Sequence, residues 1–197
     1  RPDIRLELLQ EWLAARLGVD TFSLSPASED ASFRRYFRIS SGLRSWIAMD
    51  APPEREDCQP FVRVAALMRA AGVHVPEILA QDLERGFLLL TDLGTTTYLQ
   101  VLDATNADEL FSDAIDALIK LQLASRPGVL PPYDEALLRR EIDLFPQWYV
   151  SRHLGMTLTA DEQQVLASAT MLVLVNNLAQ ATVYVHRDYM PRNLMVT

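Results

Sequence analysis

The sequence has only one cysteine, Cys58, in 197 residues. It can form no internal disulfide, and no Cys/His cluster with metal-ligand spacing surrounds it. That excludes a disulfide-stapled scaffold and a thiolate metal site, and it predicts a cytoplasmic protein. Cys58 itself, behind Arg55, Glu56 and Asp57 in what reads as a helix, is expected to pack rather than react. Basic residues are in deficit. Eighteen Lys and Arg against 26 Asp and Glu leave a formal charge of -8, whereas phosphate backbones and anionic membranes call for a basic footprint. Nucleic acid and membrane are therefore excluded as expected partners. Long apolar runs are missing too: "MLVLV" at 171–175 falls far short of the roughly 18 residues that span a bilayer, and no signal-like segment opens the chain. With 49% hydrophobic and 22% charged residues, the composition is that of an ordinary globular protein, long enough for one sizeable core or two small lobes.

Hydrophobic periodicity orders the elements. Residues 3–17 carry Leu6, Leu9, Trp12, Leu13 and Leu17 at helical spacing, with Gly18 at the C-cap position. Strand patterns follow at 21–24, 34–40 and 45–49, then a helix over 54–71 with acids in its first turn, then strands at 75–80 and 87–91. One antiparallel sheet with the 54–71 helix packed on it is expected. From 94 onward the pattern turns helical: 97–102, 106–124, 134–154 with a kink at Pro146, and 159–180 with Thr159 and Glu162 at capping-box spacing. The shift in pattern at "TDLGTTT" (91–97) divides a sheet-rich lobe, 1–93, from a helical lobe, 94–197. The class is α+β.

The most informative stretch is "VHRDYMPRNLMV" at 185–196. "TVYV" (182–185) and "LMV" (194–196) read as short strands that hold residues 186–193 as a loop. A carboxylate that takes a proton from an attacking hydroxyl must be fixed in place. A carboxamide five residues on can offer an oxygen to Mg²⁺ on nucleotide phosphates. Asp188 and Asn193 suit those two roles, and His186 is expected to hold the loop through hydrogen bonds rather than transfer protons.

This loop resembles that of the aminoglycoside and sugar phosphotransferases, which have a two-lobed protein-kinase-like fold, and the resemblance extends over nearly the whole chain. More narrowly, "SFRRYFRI", "MDAPPEREDCQPF", "LLLTDLG", "EIDLFPQWYVSRHLG" and "VHRDYMPRNLM" are similar to the bacterial anomeric kinases that phosphorylate C1 of N-acetylmuramate and N-acetylglucosamine. The resemblance implies an ATP- and Mg²⁺-dependent kinase of cell-wall amino sugars, acting in peptidoglycan recycling and monomeric. It implies Asp188 as catalytic base, Asn193 as a metal ligand, His186 and Arg187 as structural parts of the loop, and Leu90, Thr91, Asp92 and Leu93 as the hinge whose backbone holds adenine.

The sequence departs from the wider kinase pattern in three places. Met49 and Asp50 stand where a strand lysine is usual, "SEDASFRRYFR" (28–38) has no glycine, and Met190 replaces a catalytic-loop lysine. Arg34 or Arg35 is then expected to meet phosphate, and Arg192 to stabilise transition-state charge. Phe145, Trp148 and Tyr149 are expected in the core, with Asp143, Arg152 and His153 towards the sugar. The main carboxylate ligand of the metal is expected beyond Thr197, so that the chain reads as a truncated, inactive piece. A pseudokinase and an aminoglycoside or other small-molecule phosphotransferase are the alternative readings.

Overall fold

The computed structural model describes residues 3–19, 21–29 and 33–197; residues 30–32 of the glycine-free connection lie outside them. The chain forms two compact units, Arg1–Ala124 together with His186–Thr197, and Ser125–Val185. The lobe boundary expected at 93/94 falls within the first of these.

The first unit is built on a five-stranded antiparallel sheet of order β1-β2-β3-β5-β4, with β1 at Ser23–Glu29, β2 at Arg35–Ser41, β3 at Arg44–Asp50, β4 at Ile78–Asp82 and β5 at Phe87–Thr91. Two helices cover its two faces, α1 (Ile4–Leu17) and α2 (Gln59–Ala70). Alternation along the strands sorts side chains between them. Ile39, Ala48, Phe87 and Leu89 join Leu9, Trp12 and Leu13 of α1. Met49, Leu88 and Leu90 join Cys58, with Phe61 and Val62 of α2 against them. Because both faces are covered, four consecutive residues of β5, Phe87 to Leu90, are buried, as a strand apolar on both sides must be. Each leucine so buried contributes about 1.5–3 kcal/mol.

The expected sheet and its helix are present, with one correction. Helix α2 starts at Gln59 rather than at 54, and residues 53–55 form turns. Pro60 is the cause. It lacks an N–H and its ring would clash with a preceding turn, so it fits only in the first turn of a helix. The acids at 54, 56 and 57 thus precede the helix; Asp57 accepts the Gln59 N–H at 2.8 Å. Cys58, at the N-cap position, is buried as a packing residue, and burial pushes its thiol pKa up.

Gly86 closes the β4–β5 turn at φ 75°. Its carbonyl accepts the Ala51 N–H at 2.9 Å, and a Cβ there would lie 1.8 Å from the Ala51 oxygen. Only glycine lets the two chains approach this closely.

A four-part ion cluster pins α1 to the sheet. Asp50, fully buried at the end of β3, accepts from Arg5 Nε (3.0 Å) and Nη2 (2.5 Å) on α1 and from Arg35 Nε (2.9 Å) and Nη2 (2.5 Å) on β2. Arg35 also pairs with Asp3, whose own carboxylate caps α1 by accepting the Leu6 N–H at 3.1 Å.

Helices α3 (Tyr98–Val101) and α4 (Ala107–Leu123) complete the first unit. The second unit holds α5 (Glu135–Ile142), a π-helical turn (Phe145–His153) and α6 (Ala160–Leu178). Helix α6 starts with the expected capping box, Thr159 and Glu162 each bonding the other's backbone. The single helix expected over 134–154 is two pieces. Pro146 supplies no N–H to continue α5, and the register slips to i→i+5, with the Leu154 N–H on the Tyr149 carbonyl at 2.9 Å. No helix among the described residues is long and apolar enough to cross a membrane.

Candidate active site

The loop that begins at His186 is held at two places and braced by a ring contact within it. At its far end the chain bridges the segment after the hinge: Met195 pairs with Thr97, the Tyr98 N–H donates to the Leu194 carbonyl, and the Val196 N–H to the Thr96 carbonyl, both at 2.9 Å. From within, the Tyr189 hydroxyl donates to the Ala114 carbonyl of α4 at 2.5 Å. The His186 ring meets Tyr189 edge-on at 5.2 Å. The two strands expected at 182–185 and 194–196 do not form. A strand needs a ladder partner, and 194–196 pairs with 96–98 instead.

Within the loop, the Asn193 carboxamide donates from Nδ2 to Asp188 Oδ2 (2.7 Å) and to the Asp188 carbonyl (2.9 Å). A short 3₁₀ turn, Pro191–Asn193, brings the amide back, with the Asn193 N–H on the Met190 carbonyl at 2.8 Å. Arg187 takes a positive φ of 73°, a sparsely populated conformation for a side-chain-bearing residue and one that recurs at functional loops. The Asp188 N–H donates to His186 Nδ1 at 3.4 Å, which requires that nitrogen to be unprotonated. Burial holds the His186 pKa below its ordinary value, with the Asp188 charge opposing.

Asp188, Arg192 and Asn193 are all exposed. Lys120 is the only lysine in the sequence, and it lies in α4. The two arginines expected to meet phosphate, Arg34 and Arg35, point to opposite faces of the sheet. Arg35 is engaged by Asp50 and Asp3 on the α1 face. Arg34 precedes β2 with the parity of Tyr36, which packs on the α2 side, and its Nη2 lies 3.3 Å from Glu56.

In the hinge, Leu90 and Thr91 belong to β5, whose ladder with β3 ends at the pair Trp46 and Thr91. Asp92 and Leu93 follow it. The Asp92 carboxylate receives Arg38 Nε (2.7 Å) and Nη2 (3.0 Å) from β2, and the Gly94 N–H at 2.9 Å; Arg38 Nη2 also reaches the Gly94 carbonyl at 2.7 Å. Arg38 thus fixes both groups that shape the hinge, and it holds the Asp92 carboxyl below the usual carboxylate range. Nothing local in the sequence marks this pair, because 54 residues separate its members. A cavity of about 480 Å³ adjoins the hinge, with Arg69, His74, Glu77, Thr91 and Leu93 in its walls.

In the second unit, Asp143 lines a cavity of about 550 Å³ between α5 and α6. Arg152 and His153 lie on the π-helical turn against Trp148 and Tyr149. Phe145, Trp148 and Tyr149, expected in the core, are half exposed. Among the described residues no group of three or more His, Cys, Asp or Glu side chains is arranged to hold a metal ion.

A carboxylate braced by a carboxamide five residues on, in a loop of the sheet-based unit, can accept a proton and present an amide oxygen. The profile of the Phosphotransferase enzyme family matches residues 23–197. The chain belongs to this family. It is 55% identical over 205 residues to an N-acetylmuramate/N-acetylglucosamine kinase of Pseudomonas aeruginosa, covering 99% of this chain and 61% of that protein. Proteins of the same name from Pseudomonas putida and Neisseria meningitidis are 53% and 42% identical, over 98% and 96% of this chain and 60% and 58% of theirs. The chain thus spans about 60% of the length of these curated relatives. A solved choline/ethanolamine kinase family protein from Mesorhizobium loti matches at a TM-score of 0.61 with 18% identity, over 96% of this chain and 60% of that one. The α+β, protein-kinase-like fold follows from that match and the family.

Proposed function

We propose that the whole protein is an ATP-dependent sugar kinase that transfers the γ-phosphoryl group to the anomeric hydroxyl of N-acetylmuramate and N-acetylglucosamine. The observation that carries the reading is the Asp188–Asn193 pair, in a chain whose relatives bear that name. Asn193 occupies Asp188 Oδ2, so Oδ1 is the oxygen that takes the proton of the C1 hydroxyl as its oxygen attacks the γ-phosphorus and the bond to ADP breaks. An anomeric hydroxyl is more acidic than an ordinary alcohol, which lightens the work of the base and is compatible with the absence of a strand lysine. Arg192 supplies positive charge to the transferring group, and Arg34 reaches phosphate from the start of β2.

Mg²⁺ fits the donors on hand. The Asn193 amide nitrogen is directed at Asp188, which leaves its oxygen outward as the hard donor that Mg²⁺ prefers. Asn193 would share the ion with phosphate oxygens and water, and the bound metal would neutralise charge on the phosphates. Adenine is held by backbone groups of the Leu90–Leu93 hinge, chiefly Asp92 and Leu93 past the end of the ladder, in a nucleotide-binding lobe of residues 1–93. Asp143, Arg152 and His153 contribute to sugar binding. A cytoplasmic monomer serving peptidoglycan recycling is consistent with this chemistry.

Incubating the complete protein with ATP and each sugar, then locating the phosphate by phosphorus NMR, tests the reading. Phosphate on C1 of both sugars, with kanamycin-type aminoglycosides untouched, is the expected result. Phosphate on C6, or on an aminoglycoside, would overturn the assignment.

A further inference from the structure

The Arg38 guanidinium reaches a stretch of three residues, Asp92 to Gly94, that lies past the last strand of the sheet. Arg38 stands on β2 in register with Ile47 of β3, which in turn pairs with Leu90 of β5, and Ile47 and Leu90 pack on the α2 side of the sheet. The row continues beyond the ladder. There the Asp92 carboxylate takes the guanidinium fork at 2.7 and 3.0 Å, and the Gly94 carbonyl takes Nη2 at 2.7 Å. The Gly94 N–H closes the arc on Asp92 Oδ1 at 2.9 Å. Leu93 is therefore fixed from both sides by bonds in which it takes no part. The Asp92 side chain is 5% exposed and that of Arg38 23%, so the pair is largely shielded from water, and a bidentate pair fixes orientation as well as distance.

The far side of the same arc leads to the loop of Asp188. Two residues beyond Gly94, the Thr96 carbonyl accepts the Val196 N–H, and the Tyr98 N–H donates to the carbonyl of Leu194, the neighbour of Asn193. A nucleotide whose base sits on the hinge and whose metal sits on Asn193 needs both in one register, because a misplacement of about 1 Å costs much of what positioning supplies. Stability alone does not call for a charge at position 38. An apolar side chain in the row of Ile47 and Leu90 would pack on this face without burying ions, a replacement that is often neutral or stabilising. We infer that Arg38 is a positioning residue for the nucleotide: through Asp92 and Gly94 it sets the hinge backbone to meet adenine while the phosphates reach Asn193. The inference rests on the reading of Leu90–Leu93 as the adenine hinge, and it adds the residue that shapes that hinge from a strand 54 residues away.

The test is calorimetric titration of Mg²⁺-ATP into the complete protein, with the KM of ATP and of the sugar as second readouts. Arg38→Gln should weaken ATP about tenfold, in Kd and in KM, as loss of a charge-assisted pair does, and leave the sugar KM within about twofold. Arg38→Lys keeps the charge without the fork and should fall between Arg38→Gln and the wild type. Asp92→Asn removes the same clamp from its other end and should match Arg38→Gln. The double variant should then bind ATP within about twofold of either single one. A role in stability alone would lower the folded fraction, and with it kcat and the binding stoichiometry, and leave Kd and KM in place. ATP affinity within about twofold of the wild type in whichever of Arg38→Gln and Asp92→Asn folds, or additive losses in the double variant, would refute the clamp and leave the kinase reading standing. If the wild type binds ATP but phosphorylates neither sugar, the sugar assignment fails and the ATP titrations still decide the clamp. If it binds no ATP, the hinge reading and the clamp fail together.

Discussion

Asp50→Asn keeps the shape of a fully buried side chain and removes its charge, leaving the guanidinium groups of Arg5 and Arg35 facing an amide. Removing one partner of a buried ion pair costs about 3–5 kcal/mol. The arginine side chains remain 27% and 37% exposed, so water can recover part of their solvation and the cost should lie at the low end, about 3 kcal/mol. For a chain of this size that corresponds to a fall in Tm of roughly 6–12 °C. The assay is thermal unfolding followed by circular dichroism and by tryptophan fluorescence, which reports Trp12 in the core between α1 and the sheet. Asp3→Asn is the control. Asp3 touches the same Arg35 from a side chain 43% exposed, where an ion pair contributes about 0–1 kcal/mol. A Tm for Asp50→Asn within 2 °C of the wild type, or equal losses for the two variants, would refute the view that Asp50 is what fastens α1 to β2 and β3.

Three further outcomes are expected. Gly86→Ala forces a Cβ onto the Ala51 carbonyl and should destabilise by about 3 kcal/mol or more; a melting curve like the wild type's would contradict the close approach. Burial depresses the His186 pKa, so the loop's stability is fully present above the unfolded value of about 6.5 and is lost as pH falls through the lower folded value; an NMR titration that placed the folded value above 6.5 would reverse the sign. The Asp92 carboxyl is held down by Arg38, so this pair's contribution is present above about pH 3.9 and is lost below it as Asp92 protonates. Arg38→Gln should therefore lower stability at neutral pH and flatten its acid limb, and an acid limb unchanged in steepness would count against the clamp.

The elements were legible where local pattern suffices. The stripe from Leu6 to Leu17 with Gly18 beyond it marks α1, the Thr159 and Glu162 box marks the start of α6, and the apolar run at 87–91 coincides with β5. Arg35 was expected only as one of two arginines that meet phosphate; its parity in β2 carries it to Asp50 on the α1 face. What pattern could not supply was partnership. The apolar runs at 182–185 and 194–196 looked like strands, but pairing is a property of two segments, and 194–196 found its partner at 96–98. The Arg38–Asp92 and Arg5–Asp50 pairs join residues 54 and 45 apart and depend on strand order. The start of α2 was readable from Pro60, but the acids before it imitate a first helical turn.

The central claim is that Asp188, braced by Asn193, is the base of a phosphoryl transfer. Asp188→Asn in the complete protein keeps the side-chain shape and removes the proton acceptor. With N-acetylglucosamine and ATP, kcat should fall by about 10²- to 10⁴-fold while nucleotide affinity, measured by calorimetry, changes little. A fall in kcat of less than tenfold would show that the base lies elsewhere.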